Sequence, residues 1–286
     1  MRWDMGRESG VEDRRGLGPA HLIGGGGVGA VVLALIGYFV FGIDPRTTMH
    51  LAQNMGADQG GQQQQVAAGG CPQGDQTCRF VDVIHTSADD TWSAIFQSQG
   101  QTYRPSHIVL YTGGTGTACG TGQAAMGPFY CPGDETVYLD LDFFNTMDQE
   151  LGAKGDFARA YVIAHEVGHH VQKLLGTSDR VAAIEERDGA QGASGASVRL
   201  ELQADCYAGV WAKQSNTKMN WLEAGDLDEA LTAASSVGDD TLQKRSQGTV
   251  VPDSFTHGTS AQRMKWFRAG YDSGDPGNCD TFSGRI

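Results

Sequence analysis

The chain has 286 residues, 34 acidic against 21 basic for a net charge of −13, and 40% of it is hydrophobic. That is enough apolar material to build a core, which excludes a disordered tail. So acidic a surface repels phosphate backbones, and no basic stripe interleaved with aromatics occurs, so nucleic acid is not an expected partner. The 41 glycines follow no three-residue period, and no repeat of solenoid length is present.

From Leu22 to Ile43, 22 consecutive residues carry no charge. As a helix this run would be about 33 Å long, enough for a hydrocarbon core of roughly 30 Å. The run is too long for a secretory signal, and no small-x-small cleavage site closes it, so a single transmembrane helix is expected. Arg2, Arg7, Arg14 and Arg15 precede it, and only Arg46 lies close behind. The bias predicts a cytoplasmic segment over 1–21 and an extracytoplasmic remainder. Residues 44–70, rich in Gln, Gly and Ala, read as a flexible linker, which leaves 71–286 as the working domain. An even count of six cysteines outside the cytosol predicts disulfides. Cys71 with Cys78 and Cys119 with Cys131 are the local pairs. Cys206 with Cys279 follows by elimination, with a buried free thiol at Cys206 as the alternative.

Two alternating apolar stretches, 107–111 and 136–141, predict strands bounded by Gly- and Pro-containing loops. From Asp156 onward the period becomes helical, with helices expected over 156–175, 197–215, 221–237 and 259–271 and a polar loop at 188–197. A sheet followed by helices is an α+β arrangement.

Inside the first of these helices stands His165-Glu166-Val167-Gly168-His169-His170, which contains H-E-x-x-H. Residues i and i+4 share a helical face, so His165 and His169 can aim both imidazoles at one Zn²⁺. Glu166 projects beside them toward a water activated by the ion. His170 is off that face and reads as structural. Catalytic zinc usually takes three protein donors, so a third must come from elsewhere. The metzincin spacing is excluded, because Gln172 and Leu175 occupy its Gly and His places. Asp179, in Gly176-Thr177-Ser178-Asp179, resembles the start of the aspzincin pattern, but Ala182-Ala183 replace its Tyr-Gly. Glu201 stands one turn before Asp205 in a segment apolar enough to be a packed helix, where two acids need a common partner. On that reading Glu201 binds the metal, and Asp205 accepts a hydrogen bond from a ligand imidazole and fixes its tautomer.

HEVGHH followed by Glu201-Leu202-Gln203-Ala204-Asp205 resembles the gluzincin branch of zinc peptidases. The whole chain, with its apolar run, its Gln/Gly-rich stretch and four cysteines before the metal helix, is similar to the bacterial neutral zinc metallopeptidase family. The resemblance implies a zincin-like domain with a small mixed sheet and a helical C-terminal half, Zn²⁺ as cofactor, and a peptide or protein substrate. Thr256-His257-Gly258 and Arg263 are similar to the T-H-P-x-x-x-x-R stretch of membrane-associated gluzincins of the HtpX type, with Gly258 in the place of Pro. The likeness implies that His257 stabilises the oxyanion and that Arg263 orders nearby acids. In zincins the substrate lies along an edge strand above the metal helix. Here Ala124-Ala125-Met126-Gly127, continuing through Pro128 to Tyr130, is the expected substrate-binding stretch. The chemistry so implied is peptide hydrolysis with Glu166 as general base and then as proton donor to the leaving amine. The alternative is a zinc-binding adaptor without turnover, from which the presence of Glu166 argues away.

Overall fold

The computed structural model describes residues 1–16, 70–123, 127–188 and 192–286. A short strand β1 (Glu12–Asp13) is followed by helix α1 (Gln76–Ser98), strand β2 (His107–Tyr111) and a hairpin of β3 (Gly114–Thr117) with β4 (Gly120–Gln123). Strands β5 (Phe129–Cys131) and β6 (Thr136–Asp140) come next, then a short helix α2 (Asp142–Thr146) running into a π turn at Met147–Leu151. The rest is helical: α3 (Asp156–Leu174), α4 (Thr177–Asp188), α5 (Ala196–Met219), α6 (Asp226–Ser236), α7 (Asp239–Gln247) and α8 (Ser260–Ser273). This is the α+β architecture the sequence implies.

The four-stranded sheet has the order β1-β2-β6-β5. β2 pairs in parallel with both β1 and β6, while β5 runs antiparallel to β6 and forms the open edge. Ile108 to Tyr111 and all five residues of β6 are buried, as expected of central strands covered on both faces. One face rests on α1 and α3; the other carries Val109, Tyr111, Tyr138 and Cys131, with Phe129 stacked on Tyr138.

Helices α1, α2, α4 and α7 are not among those expected from the sequence. Helix α1 buries Asp82, His85 and Asp89 among its apolar residues. α4 and α7 are short and largely polar. The helix expected over 221–237 begins only at Asp226, after Gly225 at φ 97°, and Trp221 is instead fully buried in the preceding loop. Helix α8 opens where Thr259 and Gln262 close a reciprocal capping box.

The expectation of a membrane anchor is corrected. Among the described residues no helix is long and apolar enough to cross a membrane, and the run 22–43 and the stretch 44–69 lie outside them. Residues 1–16 also do not stand apart from the working domain. Val11 is 1% exposed in the main core, β1 extends the sheet, and the Ser9 and Gly10 amides both donate to the buried carboxylate of Asp82. Trp3 packs edge-on against Phe80 and donates its indole N–H to Asp156. A single crossing would place residues 1–16 and 70–286 on opposite faces of a bilayer; here they share one core, so the predicted topology of a cytoplasmic N-terminus and an extracytoplasmic domain does not hold.

All three expected disulfides are formed, Cys71–Cys78, Cys119–Cys131 and Cys206–Cys279. The last joins α5 to the C-terminal segment.

Candidate metal centre

Helices α3 and α5 cross at Gly168 and Ala204. A Cβ on Gly168 would lie 3.1 Å from the carbonyl oxygen of Ala204 and 3.2 Å from its Cα. A residue without a side chain lets the two backbones come this close without strain, and at that separation the donors on the facing turns meet. On the other side of α5, α8 approaches more tightly still: a Cβ on Gly270 would overlap the Cys206 carbonyl oxygen. Arg263 is thereby carried in under Asp205.

The donor atoms of His165, His169 and Glu201 all lie within 4.8 Å of one another. His165 Nε2 is 3.2 Å from His169 Nε2 and 3.2 Å from Glu201 Oε2, and His169 Nε2 is 3.4 Å from Glu201 Oε1. Donors about 2.0–2.1 Å from a tetrahedral zinc ion stand about 3.3 Å apart, and the two imidazole nitrogens have that separation, while each of them meets a different oxygen of Glu201. The tautomers agree. His165 Nδ1 faces Asp205 Oδ1 at 2.9 Å, and His169 Nδ1 faces Gln172 Oε1 at 2.9 Å. Both partners accept there, so both Nδ1 atoms carry protons and both Nε2 lone pairs point at each other and at a carboxylate. Such a convergence is repulsive unless a proton or a metal ion lies between, and the donor set fits zinc.

Electrostatics support the same arrangement. Burial pulls the His165 imidazole down, but the carboxylates of Asp205 and Glu201 outweigh it and push it up to about 10 in the metal-free site. Burial would raise Glu201, yet the two histidines hold it well below the usual carboxylate range. Asp205, fully buried, is likewise opposed by burial and is held down at about 2, chiefly by Arg263 and His165. Asp205 Oδ1 also accepts from the hydroxyl of Tyr161, one turn before His165. The field at the centre is therefore negative and selects a cation.

Around it opens a cleft of about 710 Å³, lined by His165, Glu166, His169, Glu201, His257 and Arg263 and by the apolar side chains of Phe143, Leu151, Val162, Val237 and Leu242. Gly127 to Tyr130 form part of its wall, and β5 is the open edge of the sheet. Of the expected substrate-binding stretch, Gly127 is there, whereas Ala124, Ala125 and Met126 lie outside the described residues. His257 reaches the cleft from the loop before α8, with Nδ1 3.3 Å from Asp239 Oδ1. Asp179 is elsewhere: it pairs with Lys173 at 2.8 Å, and its side chain is 67% exposed. His170 is buried, accepting from the Tyr130 hydroxyl at Nδ1 and donating from Nε2 to the Arg104 carbonyl. It ties the edge strand to the metal helix.

Tyr161 and Gln172 belong to no motif and have no functional role in the sequence reading; Tyr130 appears there only as the end of the expected substrate-binding stretch. For Tyr161 and Gln172 a signal existed, since each stands a turn or less from a metal-site histidine on the same helix.

The chain matches the profile described as "Putative neutral zinc metallopeptidase" over residues 1–282. It is 48% identical over 297 residues to the uncharacterized protein YpfJ of Escherichia coli K12, all of each chain being covered. It is 45% identical over 223 residues to the uncharacterized protein Mb2605 of Mycobacterium bovis, covering 74% of each, and equally to Rv2575 of Mycobacterium tuberculosis. No solved structure matches. With the profile spanning nearly its whole length and relatives this similar, the chain belongs to the neutral zinc metallopeptidase family.

Proposed function

We propose that the protein is a zinc-dependent endopeptidase whose metal is held by His165, His169 and Glu201 and whose general base is Glu166. The observation that carries the reading is the meeting of the His165, His169 and Glu201 donor atoms, all within 4.8 Å of one another, beside the cleft that Glu166 also lines. A zinc ion bound there supplies Lewis acidity for activating water and polarising a carbonyl. Glu166 takes the proton of the attacking water on its carboxylate and passes it to the leaving amine, so the amine departs neutral. The imidazolium of His257, raised by its bond to Asp239, donates to the developing oxyanion. Asp205 and Arg263 act through His165, whose ring they orient. A peptide runs along the free edge of β5 and is held by main-chain hydrogen bonds, which tolerate varied sequence. Because the walls away from the metal are apolar, the side chains next to the scissile bond are expected to be apolar too.

The test is Glu166→Gln, which leaves all three metal donors in place. The variant should retain one zinc per chain and its fold, and should cleave an unfolded protein about 10²- to 10⁴-fold more slowly. Cleavage at the wild-type rate would remove Glu166 from the mechanism, and wild-type protein that binds zinc but cleaves nothing in a proteome-derived peptide mixture would favour a binding module.

A further inference from the structure

The two metal-site imidazoles are oriented by different devices. His165 leans on a charged acceptor, whereas His169 leans on the neutral side chain of Gln172, itself fully buried. Which end of that amide faces His169 follows from its surroundings. The carbonyl of Leu200 lies 2.7 Å from the other end, and a carbonyl can only accept, so that end is the NH₂ group. Its second hydrogen goes to Gln203 Oε1 at 3.2 Å. Gln203 in turn is fixed by the Cys279 carbonyl, 3.0 Å from its Nε2 and again able only to accept. Two main-chain carbonyls thus determine the direction of both amides, and the chain ends with an oxygen at His169 Nδ1. Cys279, where it starts, is tied to α5 by the disulfide to Cys206.

We propose that Gln172, with Gln203 behind it, forms an amide relay that holds His169 in the Nδ1–H tautomer, so that its Nε2 lone pair faces the metal. Gln172 is a positioning residue that acts through His169 and touches neither ion nor substrate. The inference rests on the zinc site proposed above but not on any cleavage, so absence of peptidase activity would leave it standing.

The relay and a purely space-filling role predict opposite rankings of two substitutions. Gln172→Glu, as a neutral buried acid, keeps an oxygen for His169 Nδ1 and an O–H for the Leu200 carbonyl; Gln172→Leu keeps the volume and removes the acceptor. Zinc release from the full chain, followed with a chromogenic chelator, should be close to wild type in Gln172→Glu and about 10- to 100-fold faster in Gln172→Leu. Equal release from Gln172→Leu and wild type would overturn the proposal, as would faster release from the Glu variant than from the Leu variant. If either variant fails to fold, the zinc-loaded wild type still decides. The Nδ1 proton of His169 should exchange with solvent far more slowly than that of exposed His107 in ¹H–¹⁵N spectra, and equal exchange would dismiss the relay.

Discussion

Arg263 grips Asp205 through both carboxylate oxygens, Nε to Oδ2 and Nη2 to Oδ1, each at 2.9 Å. Both side chains are buried, at 4% and 0% exposure. A bidentate pair of this kind leaves the carboxylate one direction in which to serve His165, so the orientation of that ring is determined from a third helix. Arg263→Leu leaves Asp205 as a buried charge without its counterion and should cost about 3–5 kcal/mol of stability. Arg263→Lys keeps the charge, loses the second hydrogen bond, and should fall between. Urea unfolding of the three proteins checks the order.

Gly168 is where the two ligand-bearing helices touch. Its replacement by Ala would press a methyl against the Ala204 main chain, which cannot rotate away. The expected result is about 1–3 kcal/mol of destabilisation together with weaker zinc binding, because separating α3 from α5 moves Glu201 away from the histidines. A Gly168→Ala protein with unchanged zinc affinity by chelator competition would show that the crossing has slack.

The pair of His257 and Asp239 predicts a pH dependence. Asp239 Oδ2 accepts the backbone amides of Thr256, His257 and Gly258, and Oδ1 faces the imidazole. That bond raises His257 above its ordinary 6.5, against the effect of burial. A group raised in this way stays protonated further into the alkaline range, so cleavage should decline only as pH climbs through the raised value. Asp239→Asn retains an acceptor for the amides but removes the charge, and the alkaline limb of the kcat/KM profile should move down toward 6.5. A limb that stays in place belongs to another group.

Residues 1–13 are expected to be part of the folding unit. Their deletion would strip Asp82 of two amide donors, uncover Phe80 and empty the site of Val11. A loss of about 3 kcal/mol follows from the carboxylate left with the Thr86 hydroxyl alone and the exposed apolar surface together. Thermal unfolding of the truncated chain reads the loss; an unchanged midpoint would mean that this arm only decorates the domain.

The metal helix was legible in the sequence because H-E-x-x-H is a local pattern: both imidazoles and the base are spaced by the helical period alone. The same holds for β2 and β6, whose apolar runs are short and bounded by Gly and Pro. Glu201 and Asp205 were legible as a pair in want of a partner, and Ala182-Ala183 already spoke against Asp179, but how Glu201 reaches the histidines depends on the crossing at Gly168, which no spacing along the chain encodes. The apolar run 22–43 led the other way. Hydropathy is a property of one segment, whereas the side of a bilayer on which its flanks lie depends on what those flanks touch, and residues 1–16 touch the core of residues 70–286. Local period thus determined which side chains could act on a metal. Only the packing of α5 between α3 and α8 decided which carboxylate meets the histidines and what holds each ring, since those distances join residues 28 to 98 positions apart along the chain.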